Sequence, residues 1–147
     1  MKGKNLNLMY NNLLMIWGVL LLSAFAFLFV LYLTVPKVFK FNSSTPIADE
    51  NFLIILIFAI VALSNFGMSF VLRKYFVERA IREQDAAGVQ SAVIISCALC
   101  EAIALFGFML ALVAEYQYFF VWFALGLVGI LINIPRKSEL VAASGGR

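Results

Sequence analysis

The sequence predicts an all-α, polytopic membrane protein: a single domain over residues 1–147, with four transmembrane helices, a central helical hairpin and both termini inside. Three observations predict it. Hydrophobic residues make up 64% of the chain against 13% charged, with mean hydropathy +0.99, which leaves too little polar surface to cover a water-soluble core. Four apolar runs, Leu13–Val35, Phe52–Leu72, Val89–Val113 and Tyr118–Ile134, come close to or exceed the roughly 20 residues that cross a ~30 Å hydrocarbon layer. None of them alternates with period two, so the backbone groups they carry into lipid must be satisfied within helices.

The first run follows Lys2 and Lys4, as a signal peptide would. Its apolar stretch exceeds the usual 7–15 residues, and it ends in Leu33-Thr34-Val35-Pro36-Lys37 instead of a small-residue cleavage site. It reads as a retained anchor. The segment Pro36–Asn51 holds a turn cluster, Asn42-Ser43-Ser44-Thr45-Pro46, and then Asp49 and Glu50, which suit the positive N-terminal end of a second helix. Asn42-Ser43-Ser44 also has the form of a glycosylation acceptor, meaningful only in a eukaryotic cell.

Arg73–Arg82 contains no Gly or Pro and prolongs the second span past Leu72; the break falls at Glu83-Gln84-Asp85 and Gly88 marks the third span. Spans two and three therefore form one long hairpin. Ala114-Glu115-Tyr116-Gln117 is a tight turn that sets span four antiparallel to span three. Past Pro135 comes a short tail, residues 136–147, whose end Ser144-Gly145-Gly146-Arg147 has a disordered composition.

Orientation follows from Lys and Arg. Nine fall in the N-terminal tail, the loop between spans two and three, and the C-terminal tail, against Lys37 and Lys40 on the other side. That bias places the termini and the central loop in the cytoplasm. The net charge of +3 thus reflects membrane topology and implies no nucleic-acid partner. Tyr10, Trp17, Tyr32, Tyr116, Tyr118 and Trp122 fall near span ends, where amphipathic rings settle. Short flanks without organelle-type presequence features point to a bacterial inner membrane.

Glu101 is the one formally charged residue inside any of these runs. A carboxylate at that depth costs about 2.5–3.5 kcal/mol on insertion scales, so it flags a cation-binding site, most simply for a proton. Its helical neighbours Cys97, Ala98, Ala104 and Leu105 are mostly small and admit a close second helix. Counting an equal distance back from the hairpin tip reaches Gly67, which makes Ser64, Asn65 and Ser69 the candidate hydrogen-bond partners.

No catalytic residue, metal or cofactor is expected: the chain has no His, no nucleophile–base pair and no glycine-rich phosphate loop. Cys97 and Cys100 form a C-x-x-C without the second ligand pair a structural zinc needs, and read as small, soft packing residues.

The stretch Glu78-Arg79-Ala80-Ile81-Arg82-Glu83-Gln84-Asp85-Ala86-Ala87-Gly88, followed by Ser96-Cys97-Ala98-Leu99-Cys100-Glu101-Ala102-Ile103-Ala104-Leu105-Phe106-Gly107, resembles the c subunit of ATP synthases, the proteolipid of the membrane rotor ring. The resemblance spans residues 60–113 and is densest over 78–113. It implies that Arg82 matches the family's cytoplasmic-loop Arg and Glu101 its ion-carrying carboxylate. Ala102 stands where sodium-binding members place Ser or Thr, which implies protons. The chain departs from the family in Glu83-Gln84 where a Gln-Pro or Asn-Pro is usual, in a glycine-poor second span, and in the added first and fourth spans. The expectation is a non-enzymatic, proton-carrying subunit in the lipid bilayer, in a homo-oligomer or with other membrane subunits of an energy-converting complex. The alternative is a structural or accessory subunit without ion translocation.

Overall fold

The computed structural model describes residues 2–40 and 52–145, with side chains from residue 5 onward. The turn cluster at Asn42, the acceptor sequence Asn42-Ser43-Ser44 and the acidic pair Asp49 and Glu50 lie outside the described residues. The elements are α1 (Lys2–Thr34), a 3-10 turn (Pro36–Phe39), α2 (Phe52–Glu83), α3 (Ala86–Ala114), α4 (Phe119–Ile132) and α5 (Lys137–Ala143). No strand occurs among the described residues, and the all-α membrane fold is as expected. Three helices, α1, α2 and α3, are long and apolar enough to cross a membrane; α4 and α5, bent 49° from each other, make a fourth if counted as one broken span.

The hairpin tip is shorter than its polar sequence suggests. Gln84 adopts a left-handed conformation, φ 54°, which stops α2. Asp85 then caps α3, its side chain accepting from the Ala87 N–H at 3.0 Å, while its own N–H returns to the Ala80 carbonyl at 2.9 Å. The far end of α3 uses the same device. Glu115 takes φ 46°, and its N–H and that of Tyr116 both reach the Leu110 carbonyl. A non-glycine residue in this region costs on the order of 1 kcal/mol, which the two bonded ends offset.

Helix α3 is the hub, in contact with each of the other four helices. It buries Val89, Val93, Cys97, Cys100, Ile103, Ala104, Leu110 and Ala111, while α1 and α2 turn most of their large side chains, such as Leu22 and Leu53, outward. Outward apolar groups are what lipid requires, so packing and not water exclusion holds the helices together. Leu13 joins Val89 and Val93 at one end, and Phe27 stacks on Phe108 with ring centroids 5.7 Å apart farther along, so α1 runs parallel to α3. The start of α1, the Gln84 tip and α5 consequently share one end of the bundle, opposite Lys37 and the Glu115 turn.

One feature departs from the sequence reading. The tail beyond Pro135 forms α5, because Leu140 and Ala143, three residues apart on one face, bury against Leu13, Ala80, Val89 and Val93. Trp122, near the Glu115 turn, packs into the core between α2, α3 and α4 and is only 8% exposed.

Three glycines set the α3–α4 distance. A Cβ at Gly126 would lie 2.9 Å from the Cys100 carbonyl oxygen and 3.0 Å from the Ala104 nitrogen. At Gly129 it would meet the Cys100 Sγ at 2.6 Å, and at Gly107 the Trp122 Cβ at 2.6 Å. Gly126 faces backbone atoms, which cannot rotate aside, so Gly126→Ala should lower stability in detergent by about 1–3 kcal/mol. Gly18→Ala, in open space, should not. Thermal unfolding of the two variants side by side checks this, and equal melting temperatures would contradict the close approach.

Candidate functional site

Glu101 sits on the face of α3 that meets α1, half-buried. Its carboxyl Oε1 is hydrogen-bonded to the Ser23 hydroxyl of α1. The same hydroxyl lies 2.7 Å from the carbonyl oxygen of Leu20 in its own helix. Ala24 and Ala104, both fully buried and in one cluster, bring the two helices together one residue from Ser23 and three from Glu101. Small residues at this crossing are what allow so short a side chain as Ser to reach across.

The partner foreseen on α2 is not the one that occurs. The hairpin register was right: Ala80 lies against Gly88, and Arg73 reaches Asn133 at the level of Cys97, which puts Met68, next to Gly67, level with Glu101. The azimuth was not. Glu101 points to α1, while α2 packs on the Ile103 and Leu110 side. The Ser69 hydroxyl donates instead to the Phe66 carbonyl, 2.7 Å away. Ser64 is exposed on the outer face of α2 and Asn65 is half-buried there. Arg82 is exposed on the last turn of α2, remote from Glu101. Ser23 escaped sequence reading because a lone Ser in an apolar run usually bonds its own backbone.

A second polar group, unforeseen as a unit, lies where α4 ends, against Cys97 and Cys100 of α3. The last four carbonyls of a helix have no intrahelical partner, and in lipid each must find one. All four do. Gly129 O accepts from the Asn133 Nδ2 at 2.9 Å and its N–H at 3.1 Å, and Ile130 O from the Trp17 indole N–H at 2.9 Å. Leu131 O accepts from the Ile134 N–H at 3.4 Å, and Ile132 O from the Arg73 guanidinium at 3.3 Å. Arg73 also donates to Ile134 O at 3.0 Å and Asn133 Oδ1 at 3.3 Å, and pairs with Glu139 of α5 at 3.3 Å.

Asn133 is fully buried, with its Nδ2 3.6 Å from the Cys100 Sγ and its carbonyl accepting from the Cys97 thiol at 3.8 Å. The two cysteines are free and act as packing and weak hydrogen-bonding groups around this amide. Among the described residues no cluster of His, Cys, Asp and Glu could hold a metal. No family model, curated protein or solved structure matches the chain.

Arg73→Met leaves Ile132 O and Glu139 without their donor and should cost about 1–3 kcal/mol. It should also free α5, so trypsin would cut at Arg136 and Lys137 faster than in the parent. Arg79→Met, which removes an exposed pair with Glu83, serves as the control; equal cleavage rates in the two variants would refute the clamp.

Proposed function

We propose that the chain is a non-enzymatic, proton-carrying subunit of a membrane assembly, with Glu101 as the proton site and Ser23 as the group that makes both of its charge states tenable. The observation that carries this is a shortage of one hydrogen. The Ser23 hydroxyl has a single proton and two acceptors within reach, Leu20 O and Glu101 Oε1.

With Glu101 protonated, the carboxyl donates to Ser23 Oγ and Ser23 donates to Leu20 O. With Glu101 ionised, the hydroxyl turns and donates to the carboxylate, and Leu20 O keeps its own helical bond. One proton enters or leaves and each state has its hydrogen bonds. Among the described residues no Lys or Arg hydrogen-bonds or ion-pairs with Glu101, so none of them locks it in one form. The site is half-buried, and the exposed Ala98 and Leu105 on the same side of α3 leave it open toward a second copy or another membrane subunit. The c-subunit-like run over residues 78–113 supports the same role, and the positive-inside bias supports cytoplasmic termini.

A structural or accessory role is the second reading, favoured by one specific observation. Helix α3 is packed by α1, α2 and α4, where a two-helix rotor subunit would leave its carboxylate helix free on more sides.

The two readings part on carbodiimide labelling, which consumes the protonated carboxyl. Labelling of Glu101 that falls as pH rises, and proton flux in liposomes abolished by Glu101→Gln, are expected. Ser23→Ala keeps the carboxyl and its labelling at low pH but should slow flux roughly fivefold, the worth of one hydrogen bond of about 1 kcal/mol. Labelling at no pH would leave only the structural reading.

A further inference from the structure

The break between α4 and α5 opens a cleft of about 370 Å³ against α2. Its lower wall is apolar, from Phe70 and Ile132, and its upper wall is charged, from Lys74, Glu78 and Arg136, with Arg73 and Glu139 behind them. Arg73 and Glu139 neutralise each other. Lys74 and Arg136 have no ion-pair or hydrogen-bond partner among the described residues, and Glu78 subtracts one charge, so the cleft presents a net charge of +1.

Its depth is fixed by the sequence. Arg73 and Lys74 are the first cations after the apolar run of α2, and Arg136 and Lys137 the first after that of α4. The cleft therefore lies at a membrane–water boundary, with its apolar wall toward the hydrocarbon and its cationic wall toward the headgroups.

We infer that this cleft binds the headgroup phosphate of an anionic glycerophospholipid, held by Lys74 and Arg136, with an acyl chain against Phe70 and Ile132. A phosphodiester carries one negative charge, which matches the net charge of the site. The headgroup carries no amine, which the free cations would repel. The lipid fills the gap that the short α4 leaves between α2 and α5, so its binding also closes the packing defect at the helix break.

Native mass spectrometry of the full chain in detergent, titrated with phosphatidylglycerol or with phosphatidylcholine of the same acyl chains, tests this. Retained phosphatidylglycerol and little phosphatidylcholine are expected. Each cation near the surface is worth about a fivefold change in binding, so Lys74→Ala with Arg136→Ala should weaken phosphatidylglycerol roughly 30-fold. Lys37→Ala with Lys40→Ala, which removes the same charge at the other end, should leave it unchanged. Glu78→Gln should strengthen it, an effect that loss of folding cannot mimic. Equal retention of the two lipids, an equal loss in the Lys37 and Lys40 control, or displacement of phosphatidylglycerol by millimolar inorganic phosphate would overturn the assignment.

Discussion

Everything around the end of the bundle that holds the Gln84 tip and α5 follows from one constraint: a helix that ends at the lipid boundary cannot leave its carbonyls bare. Helix α4 has 14 residues and so is roughly 21 Å long, well short of a ~30 Å hydrocarbon layer. Its end must be completed by protein. The completion draws on three elements at once, Trp17 from α1, Arg73 from α2 and Asn133 from the break itself. Remove the break and none of these side chains has a reason to be where it is. Keep it, and α1, α2 and α4 are tied together by hydrogen bonds to the same helix end.

The same constraint explains why so much polarity is tolerated in so apolar a chain. Asn133, Ser69 and Ser96 are fully buried, yet no buried side-chain nitrogen or oxygen among the described residues lacks a partner. Arg73, 11% exposed, would be expensive as an isolated charge, but four acceptors surround it. Helix α3 then docks on this clamp through Cys97 and Cys100, whose soft side chains accept imperfect hydrogen-bond geometry, and through the glycines of α4 that bring backbone against backbone.

How much of this was legible in the sequence divides by kind of signal. Long apolar runs and charge bias are one-dimensional, so the helices, the hairpin and the shared end of the bundle could be read directly. Depth along the hairpin is also one-dimensional, and counting from Gln84 placed Glu101 level with Gly67 to within a residue. Which way Glu101 faces is not. A lipid-facing helix has no polar stripe to reveal its rotation, because its core and outer faces are both apolar. Hence α2 was expected and α1 was found. Helix α5 was missed for a related reason: its apolar face is two residues, Leu140 and Ala143, too short to show a period against a polar, glycine-ended tail.

Arg73 and Glu101 are opposite charges little more than a turn apart in depth, and the most obvious arrangement would pair them. The fold keeps them on different sides of α3. Arg73 lies on the α2–α4 side, committed to Ile132 O, Ile134 O and Glu139, while Glu101 faces α1 and meets a hydroxyl. Pairing them would orphan the end of α4 and would bind the carboxylate to a cation that never gives up its own proton. A hydroxyl is the opposite kind of partner, since it can donate or accept with equal ease. The separation thus assigns the permanent charge to holding the helix break together. It leaves the acidic group at the helix centre with a neighbour that works in either protonation state.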